Sequence, residues 1–431
     1  MTTPESSAAS PGRPAASPGR PARTGRPAAS PGRPARTGPP ARTGWPVRIL
    51  RAACAVLASF LAFLAVAVVL GAYVPSIPKA GVIGPVLGGQ YPFHTALLAL
   101  VAAGLAAVAW WAGLVRWGRV VTVVSTLCTA GALVIGGIQF QAARESGAEV
   151  SLGQVFTELG YPAAKPDATE TFASPDGEPL RVDTYLPARN PGKRTPAVVL
   201  AHAGGFHTFD KSDLRGTGRW LADHGVAVFA VDYRLAGPDR PTWDKAPQDL
   251  VSAMAWVQRN ADAYGVDGAR ISLGGMSAGG TLAMNTAYRL HNGTIKAAEG
   301  ATPAPPASVI GFYPGTDVAQ MWQDDVAGTR EAAQMYTGGT PQQYPDRYRE
   351  VSPTSDVRPG LPRTLLVVGD RDRSARPETV TGLGDALRKQ GVDVEVKELP
   401  FADHAFDDAY GSLTSQTSRQ ILLDFLLAAP H

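Results

Sequence analysis

The chain opens its ordered pattern with three long apolar runs. Residues 49–74 are interrupted only by Arg51 near their start; 94–115 and 120–140 follow, the last without a charged residue. A helix that crosses a hydrocarbon core needs about 20 apolar residues, and each run is long enough. Buried core helices of soluble domains rarely come three in succession without charges, so three transmembrane helices are expected at about 49–74, 94–115 and 120–140. A secretory leader has a shorter apolar stretch than the first run and is not followed by two more.

From about residue 149 the period changes. Residues 169–173 and 180–186 flank Ser-Pro-Asp-Gly-Glu-Pro and read as a hairpin. Short apolar, β-branched stretches at 197–201, 226–232, 271–274, 309–313, 364–368 and 393–398 read as further strands. Helical spacing appears between and after them, at 216–224, 247–264 (Leu250, Met254, Val257), 278–290, 379–390 and 418–427. Strand–helix alternation of this length predicts an α/β fold: a mostly parallel sheet with helices on both faces. Residues 314–350 interrupt the alternation. They carry Met321, Trp322, Met335, Tyr336 and Tyr344, and read either as a cap over a pocket or as added packing on the core.

Composition separates the two ends. In residues 1–46 a Pro-, Gly- and Arg-rich unit recurs with almost no apolar side chain, which predicts a disordered tail. The first 53 residues hold nine Arg against the single acid Glu5, and residues 54–144 hold Lys79, Arg116, Arg119 and Arg144 with no acid. The expected organisation is a tail over 1–46, a membrane region over 47–144 and a catalytic domain over 145–431. The tail has no interleaved aromatics and adjoins an apolar run, which argues against a nucleic-acid partner. Lys and Arg collect on the cytoplasmic side of spans. The tail and the Arg116/Arg119 connection are therefore expected inside, the Lys79 loop and the C-terminal domain outside. Trp110, Trp111 and Trp117 fit an interfacial aromatic belt. The only cysteines, Cys54 and Cys128, lie in the apolar runs. They offer neither a disulfide framework nor a metal-binding pair.

The chemistry begins at Gly274-Gly275-Met276-Ser277-Ala278-Gly279-Gly280. This G-x-S-x-G run follows an expected strand and opens an expected helix, the context of a nucleophile elbow. The turn is sharp enough that residues two before and two after the serine nearly touch, which requires Gly275 and Gly279. A serine hydroxyl needs a base. His404, in a loop after the last strand, is the candidate; His94, His224, His291 and His431 sit at membrane edges, helix ends or the terminus. The histidine in turn needs a carboxylate. Gly369-Asp370-Arg371-Asp372 follows a strand, and Asp372, further along the loop, is preferred over Asp370. The order Ser277, Asp372, His404 is that of α/β-hydrolases. A third segment, His202-Ala203-Gly204-Gly205-Phe206, ends the strand at 197–201. Its Gly204 and Gly205 N–H groups, with that of Ala278, are candidates for an oxyanion hole, and His202 is read as bracing the loop.

Taken together these motifs resemble the hormone-sensitive-lipase-like and BD-FAE-like carboxylesterases of the α/β-hydrolase fold. The resemblance spans about 165–428. It extends to Val231-Asp232-Tyr233-Arg234-Leu235, to the run from Asp249 through Trp256 and Asn260 to Gly265-Val266-Asp267, and to Ser352-Pro353. It implies hydrolysis of a small-molecule or lipid-like ester without a cofactor. Ser277 would be the nucleophile, Asp372 the acid, His404 the base, and Gly204, Gly205 and Ala278 the oxyanion donors. The usual His-Gly-Gly-Gly reads His-Ala-Gly-Gly here. The same triad would also serve an acyltransferase or amidase, and a fold of this kind can persist as a non-catalytic binding module. The acyl chain, the alcohol and the oligomeric state leave no mark in the sequence.

Overall fold

The computed structural model describes residues 44–188 and 192–428; the Arg-rich tail lies outside them. The described residues from Pro46 onward form one compact unit, in which an eight-stranded sheet carries the C-terminal part. Its strands are β1 (Ala168–Ala173), β2 (Leu180–Tyr185), β3 (Thr195–Ala201), β4 (Ala227–Val231), β5 (Val266–Met276), β6 (Ser308–Phe312), β7 (Arg363–Gly369) and β8 (Val394–Leu399). Their order is β1-β2-β4-β3-β5-β6-β7-β8. The first two form the expected antiparallel hairpin, β2 joins β4 antiparallel, and β3 to β8 run parallel.

The parallel strands read as near-continuous apolar runs because both faces are covered. Every residue of β4 and β6 is buried. Helices Ala246–Tyr264, Ala278–His291 and Leu413–Leu427 supply much of the cover. In such a sheet the loops after the carboxyl ends of the strands meet along one edge, where ligands bind. Here those loops follow Ala201, Met276, Gly369 and Leu399.

The last helix begins at Leu413, five residues before the apolar period suggests. Its first turn, Leu-Thr-Ser-Gln-Thr, looks like a loop by polarity, but the polar groups are bonded internally. The Ser412 hydroxyl caps Ser415 N–H (3.1 Å), and the Thr414 hydroxyl donates to Phe406 O (2.7 Å). The insertion folds as three short helices, Val318–Asp324, Thr329–Thr337 and Pro345–Val351.

Among the described residues three helices are long and apolar enough to cross a membrane: Trp45–Tyr73, Pro92–Trp111 and Val115–Glu145. They touch one another through small side chains such as Ala65, Ala96, Ala99 and Ala132, and leave Phe60, Phe63, Leu97, Leu100, Leu127 and Leu133 exposed. An apolar surface that broad suits lipid rather than water. The third helix overshoots the expected 120–140 at both ends. Residues such as Arg116, Gln141 and Arg144 end the apolar run, yet they are good helix formers and let the helix propagate. Its last turns reach the sheet domain.

One buried ion pair fixes the loop after β4. The Arg234 guanidinium, 6% exposed, meets the fully buried Asp249 carboxylate at 2.7 Å, and Asp249 also accepts Arg234 N–H at 2.9 Å. Among the described residues, removing Asp249 leaves the buried guanidinium only the exposed Asp176 carboxylate as ion partner, 2.8 Å from Nη1. Asp249→Ala is expected to lower the urea-unfolding free energy of the full chain by about 3 kcal/mol, read from the transition midpoint followed by tryptophan fluorescence.

Candidate active site

β5 delivers Ser277 to the carboxyl edge. Its φ is 52° and ψ −118°, a conformation that side chains rarely adopt. The surroundings enforce it: Ser277 N–H donates to Phe312 O at 2.8 Å, and the helix Ala278–His291 starts at the next residue. A Cβ on Gly275 would lie 2.4 Å from the Gly279 carbonyl carbon, and one on Gly279 only 2.3 Å from Ala201 O. Glycine is the only residue that lets these backbones approach so closely.

The loops after β7 and β8 bring the partners. The Ser277 hydroxyl donates to His404 Nε2 at 2.8 Å, and His404 Nδ1–H donates to Asp372 Oδ2 at 2.9 Å. The other oxygen of Asp372 accepts the N–H groups of Ser374 (2.8 Å) and Ala375 (2.7 Å). The carboxylate is thus fully buried and held at both ends. Asp370 instead points to Arg371, 3.8 Å away. Burial, offset in part by Arg371, pushes its carboxyl above the usual range.

Around His404 burial acts to lower the imidazole pKa, but the Asp372 carboxylate beside it acts the other way, helped by Asp403 and Asp408. The net result lies above the ordinary value. Such a group is protonated more readily than a free imidazole, which suits a base that must hold a proton transiently.

The third segment turns tightly after β3. Gly204 has φ 120° and Gly205 φ 56°, and the N–H groups of His207 and Thr208 both donate to Gly204 O at 3.0 Å. Ala203 is not among the residues with positive φ, so its methyl group costs no backbone strain. The two positions after Ala203, both with positive φ, are glycine. Ala278 N–H begins the helix after Ser277 and has no partner one turn back. His202 is buried and stacks on Tyr233 (4.3 Å), whose hydroxyl donates to His202 O. Burial lowers its pKa, leaving a neutral brace outside the Ser277–His404–Asp372 chain.

All three segments border one cavity of about 380 Å³. From the insertion, Met321, Thr329 and Ala332 line it. Tyr336, from the same insertion, is fully buried and stacks on Phe206 at 4.1 Å. The insertion therefore both borders the pocket and packs on the core.

Some neighbours escaped the sequence reading. Tyr313 lies edge-on to His404 (4.7 Å) and donates its hydroxyl to Asp407 at 2.5 Å. Asp407 is pushed up to about 6 by burial, with Asp408 adding to it. Asp403 accepts the backbone N–H of His404 (2.8 Å) and is clamped by Arg373 (2.7 Å). The visible signal was the density of acids in Asp403-His404-Ala405-Phe406-Asp407-Asp408.

Comparison with known proteins follows the same lines. Residues 182–387 match the BD-FAE family model. The chain is 30% identical over 254 residues to the esterase LipC of Mycobacterium tuberculosis, covering 56% of this chain and 60% of that one. It is 33% identical over 163 residues to an ethyl acetate hydrolase of Pseudomonas putida, covering 36% of this chain and 48% of that one. In both cases the match spans less than two thirds of the relative's own length. In fold, it is similar to a hyperthermophilic esterase from Pyrobaculum calidifontis (TM-score 0.53, 24% identity, 67% of this chain and 90% of that one). It is also similar to a propionate-bound thermophilic esterase from Thermogutta terrifontis (TM-score 0.52, 24% identity, 62% of this chain and 95% of that one).

The geometry separates the two candidate acids. Asp372→Asn is expected to slow covalent labelling of Ser277 by a fluorophosphonate on the order of 10⁴-fold, whereas Asp370→Asn leaves it near wild type. In the wild type, labelling requires neutral His404, so it is lost as pH falls through a raised imidazole pKa. The midpoint of that acid limb should lie above about 6.5 in a pH series of labelling rates.

Proposed function

We propose that this chain, an α/β-hydrolase of the hormone-sensitive-lipase-like and BD-FAE-like carboxylesterase type, is a membrane-anchored serine hydrolase that cleaves carboxylic esters through an acyl-enzyme. The observation that carries the reading is the unbroken hydrogen-bond chain from the Ser277 hydroxyl through His404 to Asp372, beside Gly204 and Gly205. In this reading Ser277 Oγ attacks the ester carbonyl as His404 Nε2 takes its proton. Asp372 fixes the tautomer and stabilises the imidazolium. The N–H groups of Gly204, Gly205 and Ala278 receive the developing oxyanion; one such donor is worth about 3 kcal/mol of barrier. His404 then passes its proton to the leaving alcohol, and water releases the acid by the same steps in reverse.

The relatives named as esterases, one of them an ethyl acetate hydrolase, support an ester as substrate. A cavity of about 380 Å³ bordered by Tyr313, Met321 and Phe206 has room for a small-molecule ester. The three apolar helices support anchoring, and the Lys and Arg distribution supports an inward tail with an extracytoplasmic hydrolase domain.

The full chain in detergent should hydrolyse short-chain p-nitrophenyl esters, and Ser277→Ala should reduce turnover at least about 10³-fold. Undiminished turnover in that variant would remove Ser277 from the chemistry. For the orientation, protease added to intact cells should digest the C-terminal domain and spare the Arg-rich tail; digestion of the tail alone would reverse the assignment.

A further inference from the structure

The loop that carries His404 does not rest on the sheet domain alone. It runs from the end of β8 at Leu399 to Phe406, and two of its residues, Phe401 (φ 54°) and Ala405 (φ 53°), are non-glycine residues in the left-handed region. They bracket the histidine. Backbone of this kind persists only where neighbours over-determine it, and here many of those neighbours belong to the N-terminal helical region.

Gln90 Nε2 donates to Ala405 O at 2.9 Å. Gln139 Nε2 donates both to Pro400 O (3.1 Å) and to Gly89 O (2.9 Å), tying the loop to the third long helix and to the connection before the second. Gly89 meets the carbonyl of Phe401 so closely that a Cβ there would lie 2.1 Å from its oxygen. The Phe401 ring stands edge-on to Tyr73 (5.2 Å) and is buried with Ala72 and Ile135. On the far side, Arg373 donates to Val82 O (3.2 Å) while holding Asp403, which accepts His404 N–H. The platform itself is tightly built: a Cβ on Gly71 would lie 1.9 Å from Ala80 O, and one on Gly84 only 2.2 Å from the Gly71 carbonyl carbon.

We infer that Gln90 and Gln139 are positioning residues for His404, so that the helical region is part of the hydrolase machinery as well as its anchor. Each supplies an N–H donor to the carbonyl of a residue at one end of the histidine loop, and together they set the imidazole against Ser277 and Asp372. The inference rests on the proposed esterase reading of this site. A third glutamine gives the contrast. Gln416 ties the linker residue Ser151 to the last helix, accepting Ser151 N–H at 2.7 Å and donating to Ser151 O at 3.2 Å and Gly411 O at 2.7 Å. None of these three bonds reaches residues 399–406.

The test uses the full chain in detergent, with p-nitrophenyl acetate as substrate and Ser277→Ala as the blank. Gln90→Leu combined with Gln139→Leu should lower kcat by about tenfold to a hundredfold and leave KM unchanged. It should also move the acid limb of the pH profile down, as His404 drifts from Asp372. Gln416→Leu should lower the thermal midpoint and leave kcat and the pH profile unchanged. A folded double variant with wild-type kcat overturns the inference, and so does an equal loss of kcat in Gln416→Leu, which would mark a general effect of loosening the junction. If the double variant does not fold, Gln90→Met and Gln139→Met, which keep length and remove the donor, are measured singly against the same two outcomes. Wild-type turnover no greater than that of Ser277→Ala would instead strike the esterase reading on which the inference stands.

Discussion

The close approach of Gly275 to Gly279 is the constraint on which the site depends. Without side chains at those positions the chain reverses within a few residues, from the end of β5 into a helix, and lifts Ser277 out of the sheet at φ 52°. Every other part is arranged around that fixed hydroxyl. The turn after β3 leans on the same glycine, since Gly279 packs against the carbonyls of Ala201 and His202. Ser277 and the candidate oxyanion donors are thereby set relative to each other by backbone contact rather than by side-chain choice.

Much of this was legible in the sequence for a physical reason. Backbone that must come close leaves glycines at fixed spacing, and strands covered on both faces leave uninterrupted apolar runs. Both signals are local, so β3, β4, β6 and β7 and the elbow could be placed within a residue or two. Asp372 could be preferred over Asp370 by its distance from the strand end. What the sequence could not carry is the direction of each carboxylate: Asp372 is aimed by the N–H groups of Ser374 and Ala375, and Asp370 is turned toward Arg371. The start of the last helix was misplaced because Thr414, Ser415 and Gln416 look solvent-facing, and only tertiary contacts reveal that they are buried.

The helical region exposes another gap in local reading. Gln90 and Gln139 are polar residues at the ends of apolar segments, where such residues ordinarily face water or headgroups. Both are buried instead, with their donors spent on carbonyls far along the chain. A pair separated by 261 or 315 positions leaves no periodicity to find. The long third helix has the same lesson: its apolar stretch marks only part of it, and the polar turns beyond are where it meets the sheet domain.

The insertion between β6 and β7 has a consequence for how this site can change over evolutionary time. Its helices reach the cavity with Met321, Thr329 and Ala332, yet none of its residues forms part of the sheet or of the Ser277–His404–Asp372 chain. Substitutions there alter the shape of the cavity while Ser277, His404 and Asp372 stay as they are. Selection can therefore reshape what this cavity admits through changes in one segment, leaving the Ser277–His404–Asp372 hydrogen-bond chain intact.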